Sequence, residues 1–282
     1  MANYFQKEAD FETFLSSLRE KLPSVFRINM ANGFWKQFRE IINNNKYQEM
    51  FFKDEEKENI VKIVPKNLTN IHEFENIIYF INVARNELRK SESLNKFHNF
   101  INKSCDSGLI SRQEAVSMIP PMLMQVKPFY KILDMCAAPG SKTAQFLESI
   151  YKQYDFLNPS EFLNDSGFVL ANDNNKMRAN MMIHQLQRLN TAGMVVVSHD
   201  GQNFPSIYSE NSMLQCDRIL CDVPCSSDAV LRKLPTKWAR WTTKDGFGLH
   251  DLQLLILKRG INLLSEGGII IYSTCSFNPI EV

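Results

Sequence analysis

From residue 131 onward the chain repeats one rhythm: a short apolar run, a polar turn, then apolar residues at every third or fourth position. The runs Ile132–Cys136, Phe168–Ala171, Met194–Ser198, Arg218–Cys221 and Ile269–Ser273 read as buried strands. Between them Lys142–Tyr151, Lys176–Leu189 and Leu249–Leu264 read as helices. The second helix places Ala179, Met182, Leu186 and Leu189 on one stripe. The third does the same with Leu249, Leu252, Ile256 and Leu263, and Gly260 leaves room for close approach. These positions read as core. Strands alternating with helices predict an α/β fold, a doubly wound and mostly parallel sheet with helices on both faces.

Ahead of this the pattern is weaker. Phe11, Phe14, Leu15 and Leu18 recur at helical spacing until Pro23, VFRINM reads as a short strand, and Trp35 to Ile42 as a helix. The segment up to Arg85 is polar and asparagine-rich, and residues 1–90 are expected to form a smaller, surface-rich N-terminal α/β lobe. LNKFHNFI reads as a helix with Leu94, Phe97, Phe100 and Ile101 on one face and an exit at Cys105 to Gly108. Ser111 to Ile119 reads as a further helix, with Ser111 as N-cap, Glu114 at the capping-box position, and Pro120 and Pro121 at its end. The main domain is expected over residues 91–282.

A length of 282 residues suits about two domains. The net charge of +1 gives no global field for nucleic acid, so such a partner would need a local basic patch. LRKLPTKWARWTTK offers one, with Arg232, Lys233, Lys237 and Arg240 beside Trp238 and Trp241, suited to phosphate contact and base stacking. A solvated helix face with the tryptophans turned inward explains the same pattern equally well. No apolar run approaches the roughly 18 residues of a membrane span, and MANYFQKEADFETF is not a signal peptide. No membrane association is expected, and nuclear, cytosolic and organellar locations stay open. The six cysteines, at 105, 136, 216, 221, 225 and 275, read as thiols, and their spacing predicts no metal site. His184, His199 and His250 read as structural or surface groups.

The chemistry gathers where apolar runs stop: Asp134 to Gly140, Asp173, Asp200, Asp222 to Cys225, and Cys275. In open parallel sheets ligands bind outside the carboxyl ends of the strands. Singly, an Asp after a strand is usually a cap or turn residue, and a free cysteine is usually packing. The common register of all five carries the functional case. The turn through Cys136, Ala137, Ala138, Pro139, Gly140, Ser141 and Lys142 is not GxGxxG. It also lacks both glycines of a phosphate loop, including the one directly before Lys. A mostly uncharged turn followed by carboxylates suits a cofactor with hydroxyls, an amine and positive character. Asp173 is placed for ribose hydroxyls and Asp200 for a purine amine, and S-adenosylmethionine meets these demands without phosphates. Cys225 and Cys275 then suggest what is modified. Carbon 5 of a cytosine becomes nucleophilic once a thiolate adds to carbon 6, and Asp222 could bond the ring at N3 or its amine side. The spacing leaves open which thiol attacks.

At these residues the chain resembles the Sun-domain (NOL/NOP/Sun) RNA cytosine-5 methyltransferases. ILDMCAAPGSKT resembles their cofactor motif, DRILCDVPCS their Pro-Cys motif and GGIIIYSTCSFNPIE their Thr-Cys motif, a likeness running from about Leu94 to the end. FRIN at Phe26–Asn29 resembles an N-terminal element, and KFHNFI with SGLISRQEAVSMIPP is similar to the eukaryotic tRNA-methylating branch. The resemblance implies a Rossmann-like methyltransferase that uses S-adenosylmethionine to form 5-methylcytosine in tRNA through a cysteine–carbon-6 adduct. Ribosomal RNA is the rival substrate, and a catalytically weak RNA-binding scaffold the rival class. It implies Cys275 as nucleophile and Cys225 as the cysteine that assists release. It further implies cofactor contacts from Cys136 to Lys142 and from Asp173, Asp200 and Asp222, with Lys142 orienting the base. The N-terminal lobe would contact RNA, and the protein would work in the nucleus or nucleolus, with the cytoplasm open. There are two departures. Ser227 and Ala229 stand where the family pattern has glycines, and a positive φ at either would add strain of about 1 kcal/mol or more. The chain also ends soon after Cys275, so the closing strand pair and the C-terminal part of the tRNA branch are expected to be missing from it.

Overall fold

In the computed structural model the described residues are 8–44, 63–65, 77–81, 83–84, 87–89, 92–152, 167–209 and 212–282. The chain opens with α1 (Glu8–Arg19), β1 (Ser24–Ile28), α2 (Trp35–Asn43), β2 (Ile63–Pro65), β3 (Ile78–Ile81), α3 (Glu92–Asp106) and β4 (Ile110–Arg112). The four strands form an antiparallel sheet in the order β2-β3-β1-β4. Phe26 and Ile28 of β1 pack with Phe38 of α2 and with Phe97 and Ile101 of α3. The alternate residue, Arg27, faces the other way.

Three expectations change here. Most of the segment read as polar surface lies outside the described residues, but Ile78–Ile81 within it is β3, an inner strand with Ile78 and Tyr79 fully buried. The expected helix over 111–119 is not formed. Ile110–Arg112 pairs with β1 instead, and a short 3-10 turn (Ala115–Met118) leads into α4 (Ile119–Leu123). Pro120 and Pro121 occupy the first turn of α4, where a missing N–H breaks no helical bond, so they begin a helix rather than end one. The Ser111 hydroxyl, read as a cap, donates instead to Glu148 at 2.6 Å. A buried tertiary partner and a sheet pairing outweigh the local capping signal. Finally, Phe97, Ile101, Cys105, Ile110, Met118 and Met122 belong to this lobe's core, so its packing runs past the expected boundary at residue 90.

The second sheet is built by β5 (Lys131–Asp134), β6 (Phe168–Asn172), β7 (Met194–Val197), β10 (Cys216–Asp222) and β11 (Leu264–Ser273); a two-residue hairpin, β8 (Tyr208–Ser209) and β9 (Ser212–Met213), lies between β7 and β10. Its order is β11-β10-β5-β6-β7 and every pairing is parallel. The chain runs outward from β5 to β7, returns to the other side of β5 for β10, and ends on β11. The order thus reverses between β5 and β10, which is where open α/β sheets bind ligands.

Helices cover both faces. On one, Phe146, Leu147 and Ile150 of α5 (Ser141–Tyr151) and Met182 and Leu186 of α6 (Lys176–Gln187) pack on Ile132, Val169 and Ala171. On the other, Ile256 and Leu263 of α8 (Thr243–Leu263) pack on Leu133, Leu170 and Ile219. Successive strand residues thus serve opposite cores, as near-continuous apolar strands must. α8 starts at Thr243, six residues before the expected Leu249, because Thr242 and Asp245 form a capping box that two intervening glycines obscure. At Gly260 a Cβ would lie 2.9 Å from Ile270 Cδ1 and 3.1 Å from Cys221 Sγ, so glycine sets the approach of α8 to the sheet.

A buried ion pair joins the lobes. Arg27 Nε and Nη2 donate to Glu148 Oε2 and Oε1 of α5 at 2.6 and 2.9 Å, and Arg27 also donates to Gln113. Their side chains are 2% and 5% exposed. With Ser111 also donating, the Glu148 carboxylate takes three hydrogen bonds from the N-terminal lobe while its own helix begins at the cofactor turn.

Candidate active site

β5 stops at Asp134, and the chain crosses its carboxyl end to Gly140, the N-cap of α5. Gly140 has φ 98°, and a Cβ there would fall 2.7 Å from Met182 Cγ. Left-handed backbone and a tight helix contact both demand glycine. Asp134 accepts the Thr143 hydroxyl at 2.8 Å, clamping the strand end to the first turn of α5, and burial pushes its carboxyl up to about 7. Asn172, fully buried at the end of β6, donates to the carbonyls of Met135 and His199, both at 2.9 Å, and accepts the His199 N–H at 2.8 Å. It ties three strand ends together. Sequence reasoning passed over it, and its one signal was its place at a strand end beside Asp173.

The predicted cofactor residues share this edge of the sheet, each in a different state. Asp173 is 2% exposed; Oδ2 accepts the Ala138 N–H at 3.2 Å and lies 3.3 Å from Arg178 Nη2, while Oδ1 accepts the Asn175 N–H at 3.0 Å. It braces the turn, and a hold on ribose hydroxyls would fall to its remaining lone pairs. Asp200, after β7, is exposed, and its carboxylate has no hydrogen-bond partner among the described residues. Asp222, at the end of β10, accepts Lys142 Nζ at 2.7 Å on Oδ2 and the Ser273 hydroxyl at 2.6 Å on Oδ1. One carboxylate thereby joins α5, β10 and β11. Ser273 falls within the Thr-Cys motif, where spacing alone shows no role for it.

Beyond these strand ends the thiols of Cys225 and Cys275 lie 3.0 Å apart. The Cys275 N–H also donates to Cys225 Sγ at 3.3 Å. A hydrogen bond from the Cys275 thiol, foremost, pulls the Cys225 thiol down to about 6 against the effect of burial; the Cys275 amide and Ser227 add to the pull. As the donor in that bond, and partly desolvated by its neighbours although exposed, Cys275 is pushed up. Near neutral pH the pair therefore carries one proton and one negative charge, with the charge favoured on Cys225. Burial instead pushes Cys216 and Cys221 up to about 12, and also raises Cys136 and Cys105. Only the 225/275 pair holds a ready thiolate among the described cysteines.

Ser227 adopts φ 61°, ψ 35°, so the first departure from the family pattern falls on a left-handed position. Its hydroxyl sits 3.8 Å from Cys225 Sγ and 3.3 Å from Cys275 Sγ, a contact glycine would lack. Ala229 lies in the 3-10 turn Asp228–Val230 without a positive φ, so the second departure carries no backbone strain.

The two cysteine loops are strapped together by Glu281, which ends the Thr-Cys motif but whose role spacing does not show. Its carboxylate, 1% exposed, accepts the Ser226 N–H at 2.7 Å, the Ser226 hydroxyl at 2.5 Å, the Ser276 hydroxyl at 2.7 Å and Gln253 Nε2 at 3.1 Å. Asp228 Oδ1 accepts the Phe277 N–H at 2.8 Å, and the Ala229 N–H donates to the Cys275 carbonyl at 3.1 Å. Gly246 permits the approach of α8: a Cβ there would meet Asn278 Nδ2 at 2.1 Å and Glu281 Oε2 at 2.9 Å.

The basic segment divides. Arg232 donates to the carbonyls of Glu20 and Lys21 at 3.0 and 3.2 Å, and Lys237 Nζ to the Ser226 carbonyl at 3.0 Å, so both serve the fold. Arg240 and Trp238 are exposed, while Trp241, after α7 (Lys237–Arg240), is half-buried. His184 is exposed, His199 packs on Phe204, and His250 Nδ1 bonds the Ile280 carbonyl at 2.7 Å. Among the described residues no three metal-ligating side chains cluster, and no helix is long and apolar enough to cross a membrane.

Comparison with known proteins meets this geometry from outside. The family described as "16S rRNA methyltransferase RsmB/F" matches residues 121–282. The multisite-specific tRNA:(cytosine-C(5))-methyltransferase of Saccharomyces cerevisiae is 42% identical over 97% of this chain and 39% of its own length. The tRNA (cytosine(34)-C(5))-methyltransferase of Drosophila melanogaster is 39% identical over 97% of this chain and 37% of its own. The chain thus spans about two fifths of the length of these curated relatives. A solved methyltransferase homologue from Pyrococcus horikoshii superposes with a TM-score of 0.63 at 21% identity, covering 94% of this chain and 68% of that one, and so shares the fold.

Proposed function

The chain belongs to the RsmB/F methyltransferase family, and from that footing we propose that it forms 5-methylcytosine in tRNA through a covalent cysteine–cytosine adduct. The observation that carries the reading is the thiol pair, 3.0 Å apart beside the Asp222–Lys142 ion pair at the switch point of the sheet. S-adenosylmethionine fits the residues present: the turn has no phosphate-loop glycines, and Asp200 offers a carboxylate unpaired among the described residues for an amine. Cys136 to Lys142, Asp173, Asp200 and Asp222 would hold it, and when bound it supplies an electrophilic methyl group.

The protein's own groups then act as follows. Cys275 Sγ adds to carbon 6 of the base as its proton passes across 3.0 Å to the Cys225 thiolate, which makes carbon 5 nucleophilic. Lys142 and Asp222, held by Ser273, face the polar edge of the ring and favour addition by bonding it there. After methylation a solvent water takes the carbon-5 proton, the carbon-6–sulfur bond breaks, and Cys275 departs as a thiolate that recovers its proton from the Cys225 thiol 3.0 Å away, which is how Cys225 assists release. The base must first leave its stack to reach the thiols.

The test is methyl transfer from labelled S-adenosylmethionine to tRNA with base-resolution mapping. Label at cytosine carbon 5, abolished by Cys275→Ala, is expected; label elsewhere, or surviving that substitution, overturns the reading. Because the matched family is described by ribosomal RNA and the two relatives by tRNA, competition between the two RNAs decides the substrate class.

A further inference from the structure

Between the lobes lies a cleft of about 380 Å³ that borders the cofactor turn and whose cationic side no step above uses. One wall is the loop into β1 and the end of β4; the other is Pro139–Ser141 at the start of α5 and the end of α6; Lys233 reaches in from the segment after Cys225. Its size falls near the lower end for ligand sites.

Three cations line it, Arg112, Arg188 and Lys233, against one carboxylate, Glu114. Two buried polar atoms on the wall have no hydrogen-bond partner among the described residues: Ser24 Oγ, on a residue nine-tenths buried, and Arg188 Nε. Buried donors are normally satisfied, and an orphaned pair in a cationic cleft points to an anion that completes them. Glu114 currently engages Lys233 at 3.4 Å, with the lysine side chain 60% exposed and therefore loosely held.

We propose that this cleft is a phosphodiester subsite for the RNA, gripping the backbone of a nucleotide next to the target. Arg188, Lys233 and Ser24 hold the phosphate, and Glu114 is the group it displaces from Lys233. The inference rests on the RNA substrate proposed above and adds where its backbone runs. Because Pro139–Ser141 form both the cleft wall and the cofactor turn, a backbone held there lies on the far side of the turn from Asp222. Phosphate contacts position and do not read sequence, so the subsite would set register rather than choose the base.

The test is tRNA binding measured without cofactor, so failed methyl transfer cannot be mistaken for a failed subsite. Lys233→Ala and Arg188→Ala should each weaken binding roughly tenfold and flatten the dependence of log affinity on log salt by about 0.7. Lys233→Arg should restore the slope. Glu114→Gln, which frees Lys233 and removes the opposing charge, should tighten binding severalfold, a gain that misfolding cannot produce. Unchanged affinity and slope in the two alanine variants, with unchanged melting temperature, overturns the subsite. Weakened S-adenosylmethionine binding with intact tRNA binding overturns it in favour of a cofactor role.

Discussion

Replacing Glu281 by alanine should loosen both cysteine loops at once. The carboxylate takes four hydrogen bonds at 2.5 to 3.1 Å while 1% exposed. Bonds to a charged acceptor each contribute about 1.5–3 kcal/mol, and a buried donor left unpaired costs about 1–3 kcal/mol. The Ser226 and Ser276 hydroxyls can turn to other acceptors, but the Ser226 N–H cannot. A loss of roughly 3–5 kcal/mol follows, or a melting temperature lower by about 10 °C for a chain of this size. Burial opposes ionisation of Glu281, yet the bonds from Ser226 and Ser276 outweigh it and the carboxyl titrates below its ordinary value. The stability it contributes is therefore fully present above the unfolded carboxylate pKa and is lost as pH falls through the lower folded one. The melting difference between wild type and Glu281→Ala should accordingly shrink below about pH 4.5. Single-turnover methylation should fall by about a hundredfold or more, since a misplacement near 1 Å has that effect. Calorimetry across pH with rapid-quench methylation checks both. A variant that melts within 2 °C of wild type (about 1 kcal/mol or less) and keeps its single-turnover rate would refute the strap.

Other outcomes follow from the same geometry. Alkylation of the thiol pair by iodoacetamide should rise through about pH 6 in the wild type, and this low step should vanish in Cys225→Ser; a single rise near the ordinary thiol value would remove the coupling. Ser227→Gly should relieve about 1 kcal/mol of left-handed strain and raise the alkylation midpoint through loss of the hydroxyl, whereas an unchanged midpoint would deny Ser227 its contact with the thiols. Arg27→Leu leaves Glu148 buried without its cation and should cost about 3–5 kcal/mol in chemical denaturation; a loss under 1 kcal/mol would show that the lobes are held otherwise.

The catalytic half was legible because its signals are local and repeated. Five apolar runs and three helical stripes sufficed for the sheet, and the register of Asp134, Asp173, Asp200, Asp222 and Cys275 with their strand ends marked the functional edge. The N-terminal lobe was not legible in the same way. β4 looked like a helix because Ser111 and Glu114 mimic a capping box, and only pairing with a strand more than eighty residues earlier reveals its use. Asn172, Ser273 and Glu281 were invisible for the same reason: each is an ordinary polar residue until partners from distant segments converge on it. Sequence spacing could not separate the roles of the two cysteines. Their 3.0 Å contact makes them a proton-sharing pair, in which the cysteine favoured as thiolate, Cys225, is the partner of the one assigned to attack.

That assignment is most directly tested by trapping the covalent complex. Cys225→Ala and Cys275→Ala proteins would each be incubated with tRNA and S-adenosylmethionine and resolved on denaturing gels. The account predicts an RNA-linked band that accumulates in Cys225→Ala, where attack proceeds and release stalls, and none in Cys275→Ala. A band in Cys275→Ala with none in Cys225→Ala would contradict it and make Cys225 the nucleophile.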